Sequence, residues 1–95
     1  MSRFKILMNF LIAAGTDNRL GPTHVSLYVA LLKLWADQNY RTLFTISRSE
    51  VMPLSKISGF TTYHKKLKDL HNYGYIKYDP NFDPYQKSQV RLVRK

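Results

Sequence analysis

The sequence predicts a mainly α-helical domain with a small antiparallel β-sheet, which is an α+β fold. Apolar residues recur at helical spacing in three segments, and polar and apolar residues alternate in two short segments near the end of the chain. The 95 residues suffice for a single modest core. The helical segments are 2–14, 23–38 and 59–73, and the alternating segments are 75–78 and 88–93.

The first helix, over residues 2–14, is apolar on nearly all sides and should end at Gly15. A small domain can cover one of its two apolar faces, so we expect a second copy of the chain to cover the other. The alternative is that both faces fold into the monomer. This division gives an N-terminal dimerisation element at 1–22 and a main domain at 23–95. The residues expected at the dimer contact are Phe4, Ile6, Leu7, Phe10 and Leu11.

The same segment also resembles a secretory signal. Arg3 and Lys5 precede an apolar stretch that ends in small residues at 13–15. Asn9 interrupts that stretch, which is also too short to span a bilayer. We therefore favour the dimerisation helix, with no membrane contact. The chain has no cysteine, which agrees with a cytoplasmic location.

The second helix should begin with Thr23 as its N-cap and run to about Gln38. Its polar residues form only a narrow strip, so we expect it to be the central helix of the core. A short strand should follow at 43–46, with Phe44 and Ile46 on the buried side.

A short helix, a turn and a longer helix are expected from Ser47 onward. Ser47 and Glu50 have the spacing of a capping box, so the short helix should start at Arg48. Pro53 keeps it short. Ser58 is the expected cap of the longer helix, which should end near Tyr73 with left-handed Gly74 after it. The turn between the two helices is expected at 55–59.

This longer helix has two unlike faces. One carries an apolar stripe, and the opposite side carries hydroxyls, lysines and an amide. Such an outward face suits the major groove of DNA, although it also fits a surface helix whose lysines only keep it soluble. The formal charge of +9 favours a polyanionic partner. The stripe consists of Phe60, Tyr63, Leu67 and Leu70, and the opposite side holds Thr61, Lys65, Lys68 and Asn72.

The order of elements resembles a winged helix-turn-helix domain with an extra N-terminal helix. The resemblance covers about Thr23 to Val93. It rests most on the leucine pair that ends the longer helix, followed by Gly74 and the apolar strand residue Ile76. The Gly-Pro-Thr sequence at 21–23 is also similar to the N-terminal domains of bacterial replication-initiation proteins of the DnaD type, and small plasmid and mobile-element proteins are similar. The leucines are Leu67 and Leu70.

The resemblance implies that the N-terminal half of the longer helix enters the major groove of double-stranded DNA while the hairpin, or wing, lies along the backbone. The wing loop departs from the pattern, because Asp79, Phe82, Asp83 and Tyr85 are unsuited to contact with phosphate. The DNA-binding residues that the resemblance implies are Ser58, Thr61, Thr62, His64 and Lys65 for the groove, Ser47, Arg48 and Lys68 for phosphate, and Lys87, Gln89 and Arg91 on the wing.

An enzyme is not expected. The three histidines are not accompanied by the carboxylates or thiols that a catalytic site needs, and no glycine-rich phosphate loop is present, so neither a metal nor a cofactor is predicted. The expected role is that of a bacterial transcriptional regulator or a DNA-binding protein of a plasmid or mobile element. The alternatives are an accessory protein of replication initiation and a docking module that binds protein instead of DNA.

Overall fold

A computed structural model describes residues 3–81 and 86–93. It confirms the α+β class: four helices and a three-stranded antiparallel sheet occupy these residues. The expectations for Phe82, Asp83 and Tyr85 of the hairpin loop lie outside the described residues. The elements are α1 (Arg3–Thr16), α2 (Pro22–Asp37), β1 (Phe44–Ile46), α3 (Arg48–Ser55), α4 (Phe60–Asn72), β2 (Ile76–Asp79) and β3 (Ser88–Leu92).

Helix α2 is the centre of the core, as the sequence predicts. It contacts the other helices and β1, and Leu27 and Leu31 are fully buried. The ring of Tyr28 stacks on that of Phe10 from α1, with 3.7 Å between ring centroids. Burial raises the pKa of Tyr28 to about 12, because the phenolate would lose its hydration.

The two faces of α1 have different environments. Ile6 and Phe10 are 6% and 3% exposed and belong to the chain's own core, so their assignment to a dimer contact is wrong. Phe4 and Ile12 are 68% and 67% exposed. The helix continues through Gly15 to Thr16 instead of ending at the glycine. No helix in the ranges 3–81 and 86–93 is long and apolar enough to cross a membrane.

The strand order is β1-β3-β2, so the last strand lies between the other two. Val90 is opposite Phe44 on one side and Tyr78 on the other. The predicted alternation is confirmed, because Phe44, Ile46, Ile76 and Val90 are buried. The outward side chains of the hairpin strands include those of Lys77, Asp79, Gln89 and Arg91.

Helix starts differ from the predicted caps. Gly21, not Thr23, is the N-cap of α2, because Pro22 has the fixed φ that suits a first helical residue. Gly59, not Ser58, is the N-cap of α4. The turn before α4 instead depends on Lys56, which has a left-handed φ of 62°. Gly74, with φ 84°, follows the end of α4 as expected.

Helix α3 begins at Arg48 as predicted, but the capping box does not form. The Ser47 hydroxyl donates to Glu50 Oε1 at 2.8 Å instead of accepting the backbone N–H of Glu50. Pro53 is the sixth of eight helical residues. A proline at that position donates no helical hydrogen bond, which helps to explain why the helix ends so soon afterwards.

Candidate nucleic-acid interface

Helix α4 presents one face to the core and the other to solvent. Tyr63, Leu67 and Leu70 are 2%, 0% and 0% exposed, which fixes the rotation of the helix about its axis. Burial raises the pKa of the Tyr63 hydroxyl, since its anion would be poorly solvated. Because the buried stripe is on one side, the opposite side is open along its length. The predicted groove and phosphate residues on that open side are all exposed: Thr61, Thr62, His64, Lys65 and Lys68.

Phe60 does not join the buried stripe. Its side chain is 59% exposed, so the expectation that it anchors α4 in the core is wrong. The guanidinium carbon of Arg48, the first residue of α3, lies 4.5 Å from the centroid of the Phe60 ring. This distance is that of a cation–π contact, and it links the first residues of the two helices.

A cleft of about 820 Å³ lies between the α3–α4 pair and the hairpin. One row along α4 borders it, consisting of Phe60, His64 and Lys68 at successive spacings of four residues. Arg48 also lines it, next to Phe60, and Tyr63 and Tyr78 are among the apolar lining. The cleft therefore combines aromatic surface with cationic and imidazole groups.

The predicted wing contact Lys87 already has an intramolecular partner. Its Nζ lies 2.9 Å from Glu50 Oε1, although half of the lysine side chain stays exposed. The ion pair with Lys87 lowers the pKa of Glu50, and the hydrogen bond from Ser47 adds to this effect. The carboxylate thus places a negative charge beside the predicted phosphate contacts Ser47 and Arg48, and the sequence pattern did not predict its ion pair with Lys87.

The hairpin is attached to the last turn of α4. The backbone N–H of Tyr78 donates to Nδ1 of His71 at 3.0 Å. Because Nδ1 accepts this hydrogen bond, the ring proton of neutral His71 is on Nε2. Gln89 and Arg91 project outward from the middle strand of the sheet, on the same exposed side as Lys77.

A buried histidine joins α2 to α4. His24 is 3% exposed, its Nδ1 accepts the backbone N–H of Gly21 at 2.9 Å, and its Nε2 lies 2.8 Å from Asp69 Oδ2. With Nδ1 accepting, Nε2 carries the proton and donates it to the carboxylate. His24 thus has a carboxylate partner that the sequence pattern did not indicate. The partners are 45 positions apart, so no local pattern pointed to the pair.

A polar cluster beside this pair stabilises the loop between α1 and α2. Asp17 accepts two hydrogen bonds from the Arg19 guanidinium, at 2.9 and 2.7 Å, and one from the Tyr75 hydroxyl at 2.7 Å. These bonds, with that of Arg19 the strongest, hold the pKa of Asp17 well below its usual range. The same guanidinium lies 4.2 Å from the centroid of the Tyr73 ring. The loop is thus joined to the segment that follows α4.

The described residues include no group of three or more side chains that could hold a metal ion. Ser58 and the other predicted groove residues lie at or after the turn between the helices and are exposed. Ser47 and Arg48 start the neighbouring helix, and Lys87, Gln89 and Arg91 belong to the hairpin. The fold thus brings the predicted residues onto two adjacent elements, the α3–α4 pair and the hairpin. Models of protein families, curated proteins and solved structures yield no match to the chain.

Proposed function

We propose that this chain is a winged helix-turn-helix protein that binds double-stranded DNA through α4. The observation that carries the proposal is the division of α4 into a buried apolar stripe and an open face with two lysines and two threonines. Lysines can contact phosphates, and hydroxyls can reach base edges. The order of helix, strand, two helices and hairpin supports the family assignment, as does the antiparallel pairing of β1 with β3.

In this proposal, α4 lies in the major groove and contacts bases with its N-terminal half. Ser58, Thr61, Thr62, His64 and Lys65 are the groove residues. Helix α3 and the hairpin contact the flanking phosphates. The net charge of +9 supports attraction to the backbone. Phosphate contacts come from Ser47, Arg48, Lys68, Lys87, Gln89 and Arg91.

We also propose a homodimer that pairs through the exposed face of α1, so that two α4 helices read one duplex. The large exposed apolar side chains of Phe4, Met8, Leu11 and Ile12 support it. Helices with one apolar face covered by their own domain commonly bury a second such face in an interface. Leu7 is half-buried beside this face. The role that we propose is that of a cytoplasmic bacterial regulator of transcription, or of a DNA-binding protein of a plasmid or mobile element.

The test is a mobility-shift titration with unrelated duplex DNA over a salt series. We expect binding at low salt whose affinity falls steeply as salt rises, because phosphate contacts release counterions. Indifference to DNA at low salt would reject the proposal. That result would favour the second candidate function, a protein-docking module. The exposed apolar face of α1 would also suit such a module.

A further inference from the structure

The position of Phe60 is unusual for a large apolar residue. It is the first residue of α4, it is 59% exposed, and the hydroxyl-bearing Thr61 and Thr62 follow it directly. Side chains on a helix lean toward its N-terminus. The phenyl ring therefore lies at the N-terminal end of the helix that the proposed function places in the major groove, at the border of the cleft between that helix and the hairpin.

Arg48 gives this exposed ring a defined location. Its guanidinium lies over the ring, with 4.5 Å from the guanidinium carbon to the ring centroid. Because the guanidinium covers one face of the ring, the edge and the other face remain available for a further contact. Because the two residues start adjacent helices joined by a tight turn, the ring is held between backbone elements instead of on a free loop.

From this geometry we infer that Phe60 determines sequence specificity by contacting the C5-methyl group of a thymine. The inference rests on the proposed DNA binding of α4. Thymine is the only standard base that offers an apolar group in the major groove, and phenylalanine is one of the side chains that contact it. The neighbouring hydroxyls and lysines supply polar contacts, so an apolar ring here adds a distinct kind of readout.

The experiment uses the full chain and the duplex that it selects from a randomised library. Dissociation constants are measured for that duplex and for the same duplex with deoxyuridine at every thymine position, which removes only the methyl groups. The wild-type chain should bind the deoxyuridine duplex about three- to fivefold more weakly, the effect of one buried methyl group. In F60A this ratio should fall to about one, because the contact is already absent.

Leu54→Ala is the matched control, since Leu54 is another exposed apolar side chain, 45% exposed and on the adjacent helix α3. It should keep the full wild-type ratio. Single deoxyuridine substitutions should then assign the loss to one or two positions.

Equal wild-type binding of the two duplexes would overturn the inference. So would an F60A variant that still discriminates between them as the wild type does. Enrichment of no duplex by a wild-type chain that still shifts unrelated DNA at low salt would also overturn the inference, whereas the absence of any shift at low salt would reject the proposed function itself. The thermal unfolding curve of F60A confirms that the variant is folded, which Phe60's exposure makes the expected result.

Discussion

Nε2 of His24 lies 2.8 Å from Oδ2 of Asp69, and this hydrogen bond joins the first turn of α2 to α4. The same imidazole accepts the N–H of Gly21. Both nitrogens of a buried ring are therefore satisfied by groups from different parts of the chain. The pair positions α4 on the core, on which the orientation of its open face depends.

Replacing His24 with alanine should destabilise the fold. The change leaves the Gly21 N–H and the Asp69 carboxylate without this partner, and unsatisfied polar groups cost about 1–3 kcal/mol. Denaturant titration measures the free energy of unfolding. His64→Ala is the control. His64 is exposed and lies on α4, the helix that also carries Asp69, so its replacement should change the free energy of unfolding by less than about 0.5 kcal/mol. Equal losses of unfolding free energy in the two variants would show that the His24–Asp69 pair contributes no more to stability than an exposed histidine does.

Replacing Lys65 and Lys68 together with alanine should weaken DNA binding and flatten its salt dependence. Loss of the proposed phosphate contact of Lys68 should lower the slope of log affinity against log salt by about one, and loss of Lys65, a proposed groove residue, should lower the affinity further. Lys5→Ala combined with Lys33→Ala removes the same charge from exposed positions on α1 and α2. This control should keep a slope close to that of the wild type. Unchanged affinity in the α4 variant would contradict the assignment of that helix to the groove.

Glu50→Gln should strengthen DNA binding. The neutral amide no longer holds Lys87 in an ion pair and no longer repels nearby phosphate. An exposed ion pair is worth about 0.2–1 kcal/mol, so a gain of about 1.5- to fivefold in affinity is expected. Fluorescence anisotropy with labelled duplex can resolve it.

The control for Glu50→Gln is Asp37→Asn. This change also frees a lysine from an ion pair, but the lysine is Lys33 on α2. That variant should bind DNA like the wild type at moderate salt, because screening limits charge effects to about 8–10 Å. Weaker binding by Glu50→Gln would mean that the carboxylate positions the hairpin and that this role outweighs its repulsion of phosphate.

Asp17 should contribute stability that disappears in acid. Its hydrogen bonds from Arg19 and Tyr75 lower its pKa in the folded state. The contribution is therefore complete above the unfolded-state pKa of about 3.9 and is lost as the pH falls below it. Asp17→Asn should lower Tm at pH 7, and the difference from the wild type should narrow below about pH 4. Tyr75→Phe, which removes one of the donors, should reproduce part of the effect. A difference in Tm that does not change with pH would exclude this linkage.

Ile12→Glu should separate the proposed dimer into monomers. The side chain is two-thirds exposed in the single chain, so a glutamate there is compatible with folding but not with burial in an apolar interface. Light scattering measures the mass in solution. Asn18→Glu adds the same charge in the exposed loop after α1 and should leave the mass unchanged. A monomeric wild-type chain would reject the dimer outright.

The sequence was sufficient for the elements whose signals are local. The polar strip of α2 and the alternation in β2 and β3 predicted most of the buried side chains, although Val29 of α2 is 46% exposed. The helix starts were less predictable. Serine and threonine are strong N-caps, yet glycines occupy the cap positions of α2 and α4. At α2 the fixed φ of Pro22 decides the start, and a side-chain preference at Thr23 does not override it.

Features of the candidate site that depend on distant partners could not be predicted. Phe60 has the correct spacing for the buried stripe, but at the first position of its helix no element covers it. The pairing of Glu50 with Lys87 joins two elements that are far apart in the sequence. Periodicity indicates which residues share a face of an element. Only the tertiary structure shows what that face contacts.

The hydrogen bond from the Tyr78 backbone to His71 has a mechanical consequence. Strand β2 is fixed to the last turn of α4 at Tyr78, the third of its four residues, so a small tilt of that helix should carry β2 with it. Under the proposed DNA binding, α4 and β2 would adjust to duplexes of different curvature as one coordinated rotation, and not as separate movements of two elements.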